Sequence, residues 1–197
     1  PREGAAKLAS EVSDVPIING GDGAGHHPTQ TLLDLFTIKE EIGKLENLKV
    51  GMLGDLRYGR TVHSLSQALD RFNTKLYFIS PKSLAMPEYV TDDLTNEWST
   101  HQNLDSILGE LDVLYVTRIQ KERFPDVEDY KRVAGAYRIN SELLNGAKPQ
   151  MRILHPLPRV DEISTDVDNT KHAAYFRQAF NGIPVRMALL EQLIGGE

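Results

Sequence analysis

Short apolar runs alternate with amphipathic helical patterns along the chain, and this alternation restricts the fold more than any other sequence feature. Runs typical of β-strands lie at residues 15–19, 48–53, 75–80, 112–117 and 152–155. Patterns typical of helices lie at residues 28–43, 60–72, 104–111 and 182–194. Strands that alternate with helices indicate βαβ units. We therefore predict an α/β fold in which a mostly parallel sheet is flanked by helices.

Composition narrows the class of protein further. A length of 197 residues fits one full domain and a fraction of another. The net charge of −6 argues against a nucleic-acid partner and favours a small-molecule ligand. The chain has no cysteine, which excludes thiol nucleophiles and thiolate metal sites. No apolar run is long enough to cross a membrane and no secretory leader is visible, so we expect no membrane association and a cytoplasmic location.

Basic side chains follow three of the predicted strands, where parallel strands bring their carboxyl ends to one edge of the sheet. These loops carry Arg57 and Arg60, then Arg118, Gln120 and Arg123, then His155 and Arg159. The guanidinium group fits carboxylate and phosphate groups in a bidentate manner. Two interpretations remain open at this point: an anion-binding cleft, or separate surface salt bridges that contribute little.

Two other patterns are weaker. Residues 54–61, GDLRYGRT, approach the phosphate loop of nucleotide-binding proteins, but Arg60 stands where that motif has lysine. No strand ends in the aspartate that would hold magnesium, so a tight turn is the alternative. His26 and His27 precede Pro28 at a helix start, a place that favours anions, but without further information a capping or surface role is favoured for either histidine. No metal-ligand spacing and no serine-nucleophile motif is present.

Four motifs in order carry a resemblance to a known family. They are HPTQ at 27–30, GDLRYGRTVHSL at 54–65, TRIQKER at 117–123 and HPLPRVDEI at 155–163. Together they resemble the catalytic chain of aspartate carbamoyltransferases, whereas ornithine carbamoyltransferases typically have HPCQ and HCLP at two of these places. The resemblance implies transfer of a carbamoyl group from carbamoyl phosphate to the α-amine of L-aspartate in pyrimidine synthesis. It also implies that no metal, cofactor or covalent intermediate takes part.

The resemblance assigns the reacting carbamoyl group to four positions. His27 donates a hydrogen bond to the carbonyl oxygen, which gains charge during attack, and Gln30 orients the carbamoyl amide. Leu157 and Pro158 contribute backbone carbonyls that face the attacking amine and the carbamoyl amide.

The same resemblance assigns the second substrate to a different set of residues. Arg60 and Arg118 bind the two carboxylates of aspartate, and Gln120 assists beside Arg118. Glu122 supports Arg118 through an ion pair. We expect Arg159 and Asp161 to form structural or closure-related ion pairs.

The resemblance also predicts how the chain is organised. Residues 1–27 are similar to the end of a carbamoyl-phosphate domain, 28–180 to the aspartate domain, and 181–197 to a helix that returns to the first domain. The family's phosphate-binding loop would precede Pro1, and the chain lacks an initiator Met, so we expect a fragment that is inactive alone. The family further implies a homotrimer with shared active sites and a possible regulatory chain. The rival hypotheses are a carbamoyltransferase for another amine and a non-catalytic fragment that binds aspartate or other anions.

Overall fold

A computed structural model describes residues 3–23, 25–119, 126–133 and 135–195. The helices are α1 (Ala5–Ser10), α2 (Pro28–Ile42), α3 (Arg60–Leu69), α4 (Glu88–Thr91), α5 (Val127–Val133) and α6 (Tyr175–Ile194). The strands are β1 (Lys49–Leu53), β2 (Lys75–Ile79), β3 (Trp98–His101), β4 (Val113–Val116) and β5 (Arg152–Leu154). Short 3₁₀ turns fill several of the connections. None of the helices in these residues combines the length and apolar character that a membrane span requires.

The five strands form one parallel sheet in the order β3-β2-β1-β4-β5. This confirms the predicted α/β class. The chain leaves β1 to build one half of the sheet and then crosses to β4 on the other side of β1. The carboxyl ends of β1 and β4 thus flank the point where the strand order reverses, which is where open α/β sheets bind ligands.

Alternate residues of each strand face two separate cores, as the pleat of a sheet requires. Toward α2 and α3, the sheet contributes Val50 and Met52 of β1 and Tyr115 of β4. Toward the other side, Leu53 and Val116 pack on the segments that connect the later strands. Because both faces are covered, the central strands are apolar throughout, and this explains why they are easily found in the sequence.

Two strand predictions differ from the structure. Residues 15–19 form no strand, and Val15 is 67% exposed, because no strand of the described residues lies beside them. The apolar run at 15–19 is therefore part of an exposed apolar surface and not a strand of this sheet. Conversely, β3 is absent from the predictions, because this edge strand reads WSTH and its outer positions are exposed.

Two helix predictions also change. Residues 104–111 form only a 3₁₀ turn at Leu108–Glu110 rather than an α-helix. The segment is short and contains Gly109, so packing of its leucines, rather than helix propensity, decides its shape. The last helix begins at Tyr175, earlier than residue 182, and Pro184 lies inside it.

Gly54 allows the ends of β1 and β4 to approach closely. Its φ is 120°, and a Cβ atom there would lie 2.2 Å from the carbonyl oxygen of Thr117. No side chain fits such a space, so glycine is required where these two strands open toward the loops. The loops that follow β1 and β4 consequently begin side by side.

Candidate active site

A cavity of about 230 Å³ opens at the carboxyl edge of the sheet, between the loops that follow β1, β4 and β5 and the N-terminus of α2. Its lining comprises His27, Gln30, Tyr58, Gly59, Arg60, Thr61, Thr117, Arg118, His155, Pro156, Leu157 and Pro158. All six of the predicted site residues that the structure describes are in this set. Gln120 and Glu122 lie outside the described residues, as does Arg123.

Arg60 is the first residue of α3, and a glycine loop holds its side chain. The Arg60 Nη1 donates a hydrogen bond to the Gly23 carbonyl at 3.2 Å. A Cβ atom on Gly21 would lie 2.7 Å from Cζ of Arg60, and the φ of Gly21 is 117°. The guanidinium group therefore packs on the bare backbone of Gly21, where a side chain would displace it.

Of the four described arginines that follow strands, two line the cavity and two do not. Arg118 lines it together with Arg60. Arg57 turns toward the Ser83 carbonyl and the Tyr58 ring. Arg159 forms a two-pronged ion pair with Asp168, in which the Nη2 to Oδ2 distance is 2.6 Å. Arg159 thus has the structural role expected of it, and Arg60 and Arg118 are the two of these four arginines that line the cavity.

His27 stands at the N-cap of α2, with its imidazole on the cavity wall. Its backbone N–H donates to Ser64 Oγ at 3.0 Å. Burial, together with the positive charges of Arg60 and Arg186, lowers the pKa of His27 to about 4. Nδ1 is buried and has no hydrogen-bond partner among the described residues. His27 is therefore neutral at pH 7, and Nε2 is the ring nitrogen that a ligand could reach.

This electrostatic environment gives a first prediction. In an NMR pH titration of the chain, we expect His27 to titrate near pH 4, well below the value of about 6.5 typical of histidine. Replacing Arg60 with alanine should raise the midpoint, because a cation no longer opposes protonation.

Arg71 offers a matched control for that titration. It is exposed and follows the C-terminal end of α3, whereas Arg60 begins this helix. Eleven residues of helical rise separate the two by about 16 Å. Arg71→Ala should leave the His27 midpoint unchanged. A midpoint near 6.5 in the parent chain would contradict the described environment of His27.

Gln30 is in the first turn of α2, and it is buried beside the cavity. Its Nε2 donates to Asp34 Oδ1 at 2.9 Å. The Asp34 carboxylate, which lies outside the cavity lining, thereby fixes the position of the Gln30 amide.

The loop after β5 is held by its own histidine. Nδ1 of His155 accepts the Leu157 N–H at 2.8 Å, so the ring proton is on Nε2, which donates to Glu162 at 2.7 Å. Leu157 has φ 48°, and the bond to Pro158 is cis. A left-handed leucine costs about 1–3 kcal/mol and is typical of functional loops. The side chains of His155 and Glu162 thus fix the backbone of Leu157 and Pro158.

The cavity includes residues that sequence reasoning missed. Tyr58, Thr61 and Thr117 are part of its lining, although the Thr117 hydroxyl donates to the backbone carbonyls of Leu53 and Asp55. Thr61 follows Arg60 at the helix start, and Thr117 precedes Arg118, so both are next to residues that the motifs singled out. The described residues contain no group of three or more histidine, aspartate or glutamate side chains placed to hold a metal ion.

The sheet and the cavity define a ligand-binding α/β domain, and comparison with known families specifies which one. The model described as aspartate/ornithine carbamoyltransferase, Asp/Orn binding domain, matches residues 46–193. The model described as aspartate/ornithine carbamoyltransferase, carbamoyl-P binding domain, matches residues 2–40. The chain belongs to the aspartate/ornithine carbamoyltransferase family.

Individual relatives agree with the resemblance seen in the motifs. The chain is 59% identical to the aspartate carbamoyltransferase catalytic subunit of Haloquadratum walsbyi, over 99% of this chain and 65% of that protein. It is similar to the catalytic subunit of M. jannaschii aspartate transcarbamoylase, with a TM-score of 0.90 and 55% identity over 99% of this chain and 64% of that one.

A further solved structure is aspartate transcarbamoylase from Trypanosoma cruzi in complex with carbamoyl phosphate and aspartate. Its TM-score is 0.91, with 41% identity over 96% of this chain and 64% of that chain. The chain described here spans about 65% of the length of its Haloquadratum relative.

Proposed function

We propose that this chain takes part in carbamoyl transfer from carbamoyl phosphate to L-aspartate, which yields N-carbamoyl-L-aspartate and phosphate. The observation that carries the proposal is the single cavity in which His27, Gln30, Arg60 and Arg118 meet. The names of the relatives, which are aspartate carbamoyltransferase catalytic subunits, support the choice of acceptor.

The reaction forms a bond between the aspartate nitrogen and the carbamoyl carbon and breaks the bond from that carbon to the phosphate oxygen. The phosphate leaves with the electron pair and can accept the proton that the amine loses. As the amine attacks, the carbonyl oxygen gains negative charge. In the proposal, neutral His27 donates its N–H to this oxygen, and Gln30 orients the carbamoyl amide.

Two cations match the two carboxylates of aspartate. Arg60 and Arg118 are proposed to bind one carboxylate each, because a guanidinium group binds a carboxylate through two parallel hydrogen bonds. Gln120 and Glu122 retain their predicted supporting roles beside Arg118. The carbonyls of Leu157 and Pro158 accept hydrogen bonds from the amine and the amide. Holding both reactants at attack distance removes an entropic barrier from the chemical step.

Glycine at position 21 gives a prediction for the aspartate clamp. In Gly21→Ala, the new methyl group displaces the Arg60 guanidinium, so affinity for an aspartate analogue should fall about tenfold, or about 1.4 kcal/mol. Gly43→Ala is the control, since Gly43 has φ 85° and open space around it. Both variants should lose about 1–2 kcal/mol of stability for their backbone angle. Equal affinities of the two variants for the aspartate analogue would contradict the proposal that Gly21 leaves space for the Arg60 guanidinium.

An exposed apolar surface supports the proposed domain organisation. On α6, Phe180 is 66% exposed and Met187 63%, while Phe36 on α2 is 40% exposed. We propose that residues 1–27 and 181–197 belong with a carbamoyl-phosphate domain. The family model of that domain matches residues 2–40 of this chain. The remainder of that domain would cover this surface.

The family resemblance further suggests a homotrimer with shared active sites and a regulatory chain, and the absence of a predicted membrane segment or leader suggests a cytoplasmic location. The relatives' description as catalytic subunits supports a multi-subunit assembly. We propose the trimer as the working assembly, and sedimentation of the complete enzyme measures it directly.

Acceptor selection tests the proposed function. The chain, extended to the length of its relatives, should carbamoylate aspartate and leave ornithine unreacted in a product assay with carbamoyl phosphate. The 197-residue chain alone should show no turnover and only weak binding of aspartate in calorimetry. Transfer to ornithine or another amine instead of aspartate would refute the choice of substrate. Absence of transfer to any amine would favour a non-catalytic binding fragment.

A further inference from the structure

The carboxylate of Asp34 lies behind the candidate site and joins two of its parts. Asp34 follows Gln30 by one turn of α2, and none of its surface is exposed. Its Oδ1 accepts hydrogen bonds from Nε2 of Gln30 at 2.9 Å and Nε2 of Gln178 at 2.6 Å. Its Oδ2 accepts the hydroxyl of Tyr115 at 2.8 Å. Donors from α2, α6 and β4 therefore converge on one acceptor.

The first effect of this arrangement concerns the orientation of the Gln30 amide. Besides Asp34, the Tyr115 hydroxyl contacts the Gln30 amide, and it also contacts Thr61. The hydrogen bond from Nε2 to Asp34 directs that end of the Gln30 amide inward. The amide is left with Oε1, an acceptor, as the atom it offers to a ligand.

The second effect concerns the loop after β5. Gln178 is buried on α6, and its Nε2 points to Asp34. Its Oε1 accordingly accepts the backbone N–H of His155 at 2.7 Å. His155 begins the segment that contains Leu157 and Pro158. One carboxylate thus sets the orientation of two amides, one on the cavity wall and one beneath the loop.

We propose that Asp34 is a positioning residue for carbamoyl transfer, which keeps Oε1 of Gln30 toward the substrate and holds the start of the 155–158 loop through Gln178. The inference rests on the proposed function, because the group that Gln30 would orient is the carbamoyl amide. The NH₂ of that group donates, so it needs an acceptor. A reversed Gln30 would present Nε2, and two donors would then face each other.

A carboxylate is required because the network has no room for another donor. Tyr115 donates to Asp34 and is contacted by Gln30 and Thr61, so its hydroxyl is saturated. Asparagine at position 34 would add two N–H donors and remove an acceptor. This conflict between donors is relieved if the side-chain amide of Gln30 or Gln178 rotates. If Gln30 rotates, it no longer presents Oε1 to the carbamoyl group.

The buried charge on Asp34 allows an effect on catalysis to be distinguished from an effect on stability. Burial raises the pKa of Asp34 to about 7, although the hydrogen bonds from Gln178, Tyr115 and Gln30 oppose this shift. Holding the carboxylate ionised in the interior therefore costs stability, and a neutral isostere removes that cost. Asp34→Asn removes this cost but adds N–H donors to the network, so we expect it to remain folded at pH 8 while being the poorer catalyst.

Steady-state kinetics of the complete enzyme test the proposal. Asp34→Asn should lower kcat about ten- to hundredfold, the range expected for hydrogen bonds to a charged group. KM for aspartate should stay within about twofold, because the arginines that bind aspartate lie in other loops.

Thr37→Val is the matched control. Thr37 is also fully buried on α2, and it accepts a hydrogen bond from Asn181 of α6 at 3.0 Å. Its loss weakens the same pair of helices without touching Gln30 or Gln178, so kcat should be unchanged. A comparable fall in kcat for both variants would overturn the proposal.

NMR of the Gln30 side-chain amide in the 197-residue chain gives a readout that needs no activity. Gln30→Met identifies the amide signals by removing them. In the parent, these protons should exchange slowly with water, and in Asp34→Asn they should shift and exchange faster. Unchanged signals, or a kcat within twofold of the parent, would overturn the inference. Failure of the complete enzyme to carbamoylate any amine would instead refute the proposed function, whatever the amide signals show.

Discussion

We expect His27→Ala to reduce turnover of the complete enzyme about 100- to 1000-fold, the loss typical of removing one donor to a developing oxyanion. The imidazole is neutral because burial and two nearby arginines hold its pKa near 4. A neutral ring at this place donates without needing a proton from solvent. The measurement is kcat with both substrates saturating, alongside thermal unfolding, which should change little.

His26→Ala is the matched control for that experiment. His26 is adjacent in sequence, but its side chain is exposed and contacts Ser64 instead of lining the cavity. It should retain nearly full turnover. His27→Asn should recover part of the lost rate, because its amide also carries an N–H donor. If His26→Ala and His27→Ala were equally impaired, or if His27→Ala were fully active, a capping role would explain His27 better.

Arg118→Ala should raise KM for aspartate about 10- to 100-fold, because charge-assisted hydrogen bonds contribute about 1.5–3 kcal/mol. The effect on KM for carbamoyl phosphate should be much smaller, because the proposal gives Arg118 only to the carboxylate. KM for aspartate in Arg118→Lys should lie between the values of the parent and of Arg118→Ala, since lysine keeps the charge and loses the planar two-pronged geometry.

Arg57→Ala is a suitable comparison for Arg118→Ala. Arg57 also follows a central strand, yet its guanidinium turns to the Ser83 carbonyl, away from the cavity lining. Its replacement should leave both KM values unchanged. Equal increases of KM for both substrates in Arg118→Ala would contradict the assignment of Arg118 to aspartate.

The sequence was most informative where burial is complete. β1, β2 and β4 are covered on both faces, so their apolar runs identify them directly. The edge strand β3 left no such signal, since WSTH alternates exposed and partly exposed positions. The run at 15–19 misled in the opposite direction, because an apolar segment can be part of an uncovered surface as well as of a sheet.

The candidate site divides in a similar way. The arginines at the strand ends predicted a cleft, but sequence position alone could not distinguish Arg60 from Arg57, which follow the same strand. Side-chain direction decides this, and it depends on Gly21 and Gly23 in a distant loop. Asp34 and Gln178 were invisible to motif analysis, because their importance lies in contacts between helices far apart in the chain.

The most direct test of the account is a crystal structure of the complete enzyme with N-(phosphonacetyl)-L-aspartic acid, the ligand in one Trypanosoma cruzi relative. We predict that the two aspartate carboxylates contact Arg60 and Arg118 and that Nε2 of His27 lies within hydrogen-bond distance of the amide carbonyl oxygen. The Gln30 Oε1 should face the ligand. Binding of the ligand outside this cavity, or with its carboxylates away from both arginines, would contradict the account.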